Sequence, residues 1–178
     1  MQTRLHRRIA LALLIGLASA LHVIEGLLPP IPVPGARLGL ANLGTVVALR
    51  LLGFQAGVTV SFARSLLGGL LGGTLLGPGF LMGLAGAVAS ALAMGLAAPA
   101  GLGGTGNLGL SVVGAVTHSV AQVAVASALT RTAGVWLYLP LLLGLSIVTG
   151  LAVGAAADGA LPLIAGHWGR AGEREGES

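Results

Sequence analysis

Apolar residues fall along this chain in long unbroken runs, separated by short breaks rich in proline, glycine or arginine. Runs of about 20 apolar residues match the thickness of a bilayer's hydrocarbon layer and predict membrane-spanning α-helices. They do not alternate at period two, which argues against a β-barrel. Six spans follow: Ile9 to Leu28, Leu38 to Leu52, Phe54 to Gly72, Phe80 to Ala98, Leu108 to Leu129 and Trp136 to Ala157. The second is short and carries Asn42 and Arg50, so it reads as tilted, broken or partly re-entrant. The breaks LPPIPVPGAR, GGTLLGPG and APAGLGGTGN cannot comfortably continue a helix and mark turns. The expected fold is an all-α integral membrane protein. It has a basic N-terminus over 1–8, one six-helix bundle over 9–157 and a polar, disordered cytoplasmic tail over 158–178.

Composition narrows the function classes. At 55% apolar and 8% charged, the chain cannot clothe a water-soluble surface, which excludes a soluble enzyme. It has no cysteine, which removes thiol catalysis, iron–sulfur clusters and zinc sites of the cysteine type. All nine basic residues are arginine. Without lysine there is no P-loop and no Schiff base, so any ATP-driven work needs a partner subunit. The net charge of +4 is scattered rather than striped, and nucleic acid is not an expected partner. Arg4, Arg7 and Arg8 precede the first span, Arg50 lies at the second break, and Arg170 and Arg174 lie in the tail, against Arg37 and Arg131 on the other side. That bias places both termini in the cytoplasm of a cell-membrane protein. The start RLHRR followed by IALALLIGLASA imitates a secretory signal. The apolar run continues to Leu28, however, which favours an uncleaved first helix.

Candidate chemistry is sparse. An arginine at the centre of a membrane helix costs about 2.5 to 3.5 kcal/mol on insertion scales, which makes Arg64, in the middle of the third span, the most informative residue. It reads as a contact for an anion or carboxylate, or as a structural partner of Glu25 or of helix-end carbonyls. Glu25, near the outer end of the first span, is positioned to meet Arg64, Arg37 or a cationic ligand group, or to reach water. His118 and Gln122 are four apart in the fifth span and share a face with Ser111 and Ala115, a polar stripe directed into the bundle. His22 lies three residues before Glu25 and reads as an interfacial histidine. Glycine at 31 positions implies close helix packing, with small-residue ladders at Ala12, Gly16 and Ala20 and at Gly79, Gly83, Ala87, Ala91 and Gly95. Trp136 and Tyr138 open the sixth span, at an aromatic belt or as the roof of a cavity. No carboxylate pair lies within the spans and no serine sits in a nucleophile elbow, so neither magnesium-dependent prenyl transfer nor hydrolysis has its groups.

The runs LHVIEGLLPPIPVPGARLGLANLGTVVALRLLGFQAG, FARSLLGGLLGGTLLGPGF and GAVTHSVAQVAVAS resemble the Gx transporter family proteins, also labelled heptaprenyl diphosphate synthase component I. The resemblance covers roughly residues 9 to 157. That family looks like a branch of the substrate-binding S-components of energy-coupling factor (ECF) vitamin transporters. The resemblance implies six helices with both termini inside, and a small solute captured near the outer face under a first-loop lid, here Pro29 to Leu40 with Arg37. It implies that the Ala12, Gly16 and Ala20 strip docks on a transmembrane coupling subunit driven by two cytoplasmic ATPases, and that the bundle topples to release its solute. Arg64 and Arg37 would then contact negative parts of the ligand, and Glu25 would orient an arginine or bind a donor. His118, Gln122 and Asn42 would supply hydrogen bonds. Neither cofactor nor metal is expected. The component I label implies a different class, a non-catalytic subunit of a prenyl diphosphate synthase, and a structural subunit of a membrane redox assembly is a third.

Overall fold

A computed structural model describes residues 2–28, 38–98 and 106–176, with side chains over 4–28, 38–98 and 106–166. The described residues form α1 (Gln2–Leu27), α2 (Leu40–Leu52), α3 (Phe54–Leu71), α4 (Pro78–Ala97), α5 (Gly106–Thr130) and α6 (Leu139–Gly176), with a 3-10 turn over Ala133–Tyr138 before α6. Each expected span corresponds to one α-helix. Four helical stretches, Arg4–Leu27, Pro78–Ala97, Gly106–Thr130 and Ala133–Gly166, are long and apolar enough to cross a membrane. The coarse fold is thus an all-α bundle with four such segments, and the count of six spans is not reached on length and composition. At 1.5 Å per residue, the 13-residue α2 extends only about 20 Å. The 18-residue α3 carries Arg64 in its middle.

The short helix is the inner one. Over 41–49 every residue of α2 except Leu43 is buried, and the helix touches α1, α3 and α6. Enclosure in protein explains how a helix with Asn42 and Thr45 on it is tolerated in so apolar a chain. One core cluster joins Leu14, Ala18, Val47, Ala48 and Val60, and another joins Val46, Leu49, Met94, Leu110 and Ala157. Both use α2 as their centre, with α1 and α3 on one side and α4, α5 and α6 on the other. Glycines set the closest approaches. A Cβ on Gly44 would stand 2.7 Å from Ala18 Cβ, and one on Gly154 would stand 2.5 Å from the Cα of Leu108. The α1–α2 and α5–α6 crossings therefore require the absence of a side chain.

Two features differ from the sequence expectation. Trp136 and Tyr138 do not open the sixth helix but lie exposed in the 3-10 turn before it. The segment read as a disordered tail from 158 continues α6 through Pro162 to Gly176. Proline removes the backbone bond to the carbonyl four residues back, that of Asp158. Asp158 and Leu163 are exposed, so the loss falls where the helix surface is open.

Candidate functional site

All six helices contribute to one cavity of about 60 Å³. His22 and Glu25 come from α1, Asn42 from α2, Arg64 from α3, Gly83 from α4, and Ser111, His118, Ser119 and Gln122 from α5. The sixth helix adds Ser146 and Thr149. Five of the six residues expected to bind a ligand, Glu25, Asn42, Arg64, His118 and Gln122, thus converge on one place. Arg37, and with it most of the expected lid, lies outside the described residues. Helical periodicity explains the α5 contribution, since Ser111, Ala115, His118 and Gln122 recur at three- and four-residue steps and share a face.

The site is closed to water along most of its wall. Arg64 is 4% exposed, Gln122 3%, Ser111 0% and Asn42 9%. Buried polar atoms in a native fold nearly always find a partner, and one left without costs about 1 to 3 kcal/mol. Asn42 Oδ1, Ser111 Oγ and Gln122 Oε1 have no hydrogen-bond partner among the described residues, and all three side chains line the cavity. Among the described residues the Asn42 amide nitrogen donates to Met94 Sδ alone, at 3.9 Å. A cavity of this size takes a few water molecules or a headgroup of comparable bulk, and a long isoprenoid chain does not fit inside it.

Two lining groups have architectural partners. Glu25 Oε1 accepts the backbone N–H of Gly39 at 2.7 Å. Gly39 holds φ 75°, the left-handed conformation that precedes α2, so the carboxylate ties the end of α1 to the start of α2. Sequence reasoning anticipated a side-chain or ligand partner for Glu25, not this backbone one. The Ser119 and Ser146 hydroxyls are 2.6 Å apart and bridge α5 to α6, while Ser146 Oγ donates to Leu142 O at 2.6 Å. Ser146, Thr149 and Ser119 escaped the sequence reading. The available signal was the three-residue spacing of Ser146 and Thr149 in an otherwise apolar helix.

His22 stands between the cavity and a neighbouring groove of about 310 Å³ beside the α3–α4 connection, and both are lined by His22 and Gly83. Its ring packs on Gly68, where an added Cβ would collide with it. No group of three metal-ligating side chains occurs among the described residues.

The two small-residue ladders have opposite environments. On α4, Gly83, Ala87, Ala91 and Gly95 are buried inside the bundle, while Gly79 at the start of the ladder is exposed. On α1, Ala12, Gly16 and Ala20 are exposed, and a Cβ on Gly16 would meet nothing within 4 Å. Among the described residues the α1 strip is left open.

Fold and cavity together define the class: an all-α bundle of apolar helices enclosing a polar centre. The chain belongs to the heptaprenyl diphosphate synthase component I family, whose sequence model matches residues 14–160. No curated protein and no solved structure shows significant similarity to it. The expected likeness to ECF S-components finds no counterpart in these comparisons.

Proposed function

We propose that the chain is a non-catalytic, membrane-embedded component of a two-part prenyl diphosphate synthase, a reading its family's description as heptaprenyl diphosphate synthase component I supports, and that it acts by holding a small polar ligand among its helices. The observation that carries the binding part is the cavity, where three buried polar atoms without partners face the same small space as Arg64 and His118. What supports the synthase part is the match over 14–160. The bundle offers no clustered carboxylates for magnesium and diphosphate, so the chemistry falls to the partner. Membrane anchoring and ligand sensing remain for this chain, with six spans and both termini in the cytoplasm of the cell membrane.

A second reading is favoured by two specific observations, the polar-lined cavity and the outward α1 strip at Ala12, Gly16 and Ala20. It makes the bundle an S-component-like subunit that captures a solute for uptake, docking by that strip on a coupling subunit powered by ATPases. The same experiment separates the two. The tagged full chain is purified gently in detergent, and its co-purifying proteins and small molecules are identified by mass spectrometry. A prenyl synthase subunit supports the first reading, and a coupling subunit with ATPases supports the second. Recovery of neither, with an empty cavity, overturns both. Gly16→Leu is expected to reduce partner recovery at least severalfold while leaving the melting temperature unchanged, because nothing within the bundle meets that position.

A further inference from the structure

The lining of the central cavity specifies more about an occupant than polarity. Among the described residues around it, Arg64 supplies the one guanidinium and Glu25 the one carboxylate. A guanidinium has five N–H donors and can hold a carboxylate beside its contacts within the protein. A carboxylate accepts several bonds, so the Gly39 N–H on Glu25 Oε1 does not exhaust it. The neutral groups add a second constraint. Asn42 Nδ2 faces Met94 Sδ, itself an acceptor, which sets the amide so that Oδ1 is the atom left over. Gln122 Oε1 is likewise buried without a hydrogen-bond partner among the described residues. Two open carbonyl oxygens call for N–H donors. A simple anion satisfies Arg64 but presses its own oxygens on these acceptors, and a simple cation meets Glu25 and the amides but is buried beside the Arg64 charge. The wall limits shape as well. No Phe, Tyr or Trp occurs among the described lining residues, so a planar ring finds no aromatic face, and the apolar part of the wall is aliphatic, from Leu142, Leu145 and Val153.

We infer that the cavity takes a small aliphatic amino acid as its zwitterion, with the carboxylate on Arg64 and the ammonium among Glu25, Asn42 Oδ1 and Gln122 Oε1. This names the ligand class of the site described above and rests on the reading that the cavity holds a small polar ligand. A zwitterion is neutral overall and brings a counter-charge to each fixed charge, so neither is left uncompensated inside an apolar bundle. Its N–H groups meet the open amide oxygens, and its short aliphatic part suits the leucine and valine wall. The volume of about 60 Å³ confines the class to compact members.

The full chain is purified in detergent, freed of bound small molecules by dialysis and titrated with glycine, L-alanine and β-alanine. Propanoate, ethylamine and propanamide are the analogues that lack one charge or both, and binding is read by equilibrium dialysis. At least one amino acid is expected to bind, and each analogue to bind about tenfold more weakly or worse. Glu25→Gln keeps an acceptor for the Gly39 N–H and removes the charge. In that variant the preference for the amino acid over propanoate is expected to fall about tenfold, and in Arg64→Met the preference over ethylamine falls likewise. A preference measured within one variant is not moved by a general loosening of the fold. Propanamide binding as tightly as the amino acids, or preferences unchanged in both variants, overturns the inference. Failure of all three amino acids while another small molecule travels with the native chain overturns the amino-acid class and leaves the cavity a ligand site. A native chain that carries no small molecule and binds no amino acid overturns both.

Discussion

Two polar regions in this apolar bundle are built in opposite ways. At the end carrying the N-terminus, Arg50 Nε donates to Asn107 Oδ1 at 2.7 Å and its guanidinium reaches Gly106 O at 3.3 Å. Asn107 Nδ2 in turn donates to Asp158 Oδ1 at 2.6 Å. Charge, amide and carboxylate thus run from α2 through α5 to α6 as a chain of matched donors and acceptors. In the central cavity, amides and hydroxyls from the same helices converge, and several of their atoms have no partner among the described residues. Polarity that closes on itself fastens helices together. Polarity that converges and stays open is, in the proposed reading, the part that receives a ligand.

The largest expected effect breaks the cavity side of that contrast. Arg64→Met keeps much of the side-chain bulk and removes the charge, which a buried position tolerates better than an unbalanced truncation. Loss of one charged partner from a buried contact costs about 2 to 5 kcal/mol in binding. The ligand that travels with the wild-type chain should therefore fall by about thirtyfold or more in the variant, read by native mass spectrometry, while helix content by circular dichroism is retained. Unchanged ligand occupancy would make Arg64 a structural residue and move the site elsewhere.

A middle-sized effect has an unusual sign. Asn42→Leu is close to isosteric and removes a buried amide oxygen without a partner, so the ligand-free protein should gain about 1 to 3 kcal/mol of stability. The same change should weaken ligand binding about tenfold, because an acceptor is lost. Thermal unfolding in detergent measures the first and titration the second. A destabilised Asn42→Leu would mean that the amide is satisfied in the folded protein and belongs with the self-closing kind of polarity.

Much of this arrangement was legible in the sequence, and the remainder has an identifiable physical reason. Apolar run length located every helix, because lipid-scale hydrophobicity is a local property of the chain. The α5 stripe of Ser111, His118 and Gln122 was readable from period alone. Local period cannot give the rotation of one helix against its neighbour, which here depends on contacts such as Gly44 with Ala18 and Gly154 with Leu108. The spacing of Ser146 and Thr149 hinted at a polar face on α6, but its convergence on the cavity and the backbone partner of Glu25 were therefore out of reach. The two ladders were equally visible as patterns, yet only packing distinguishes the buried Gly83 and Gly95 from the exposed Gly16. The tail misled in a different way, since its polar, glycine-rich composition reads as disordered chain whereas α6 continues through Pro162 to Gly176.

The smallest expected effect tests the self-closing side. Asn107 is the middle member of the clamp, accepting from Arg50 and donating to Asp158, so Asn107→Ala removes both bonds at once. Arg50 and Asp158 are exposed, and water replaces what each loses. The cost should be about 1 kcal/mol rather than the larger penalty of a buried orphan. It should shrink as salt is added, because the outer members of the chain are charges at an open surface. Ligand occupancy in the central cavity should not move, since neither Asn107 nor its partners line it. Loss of ligand in Asn107→Ala at full stability would show that the clamp governs the cavity across the length of α5. The two kinds of polarity would then be one coupled system rather than two.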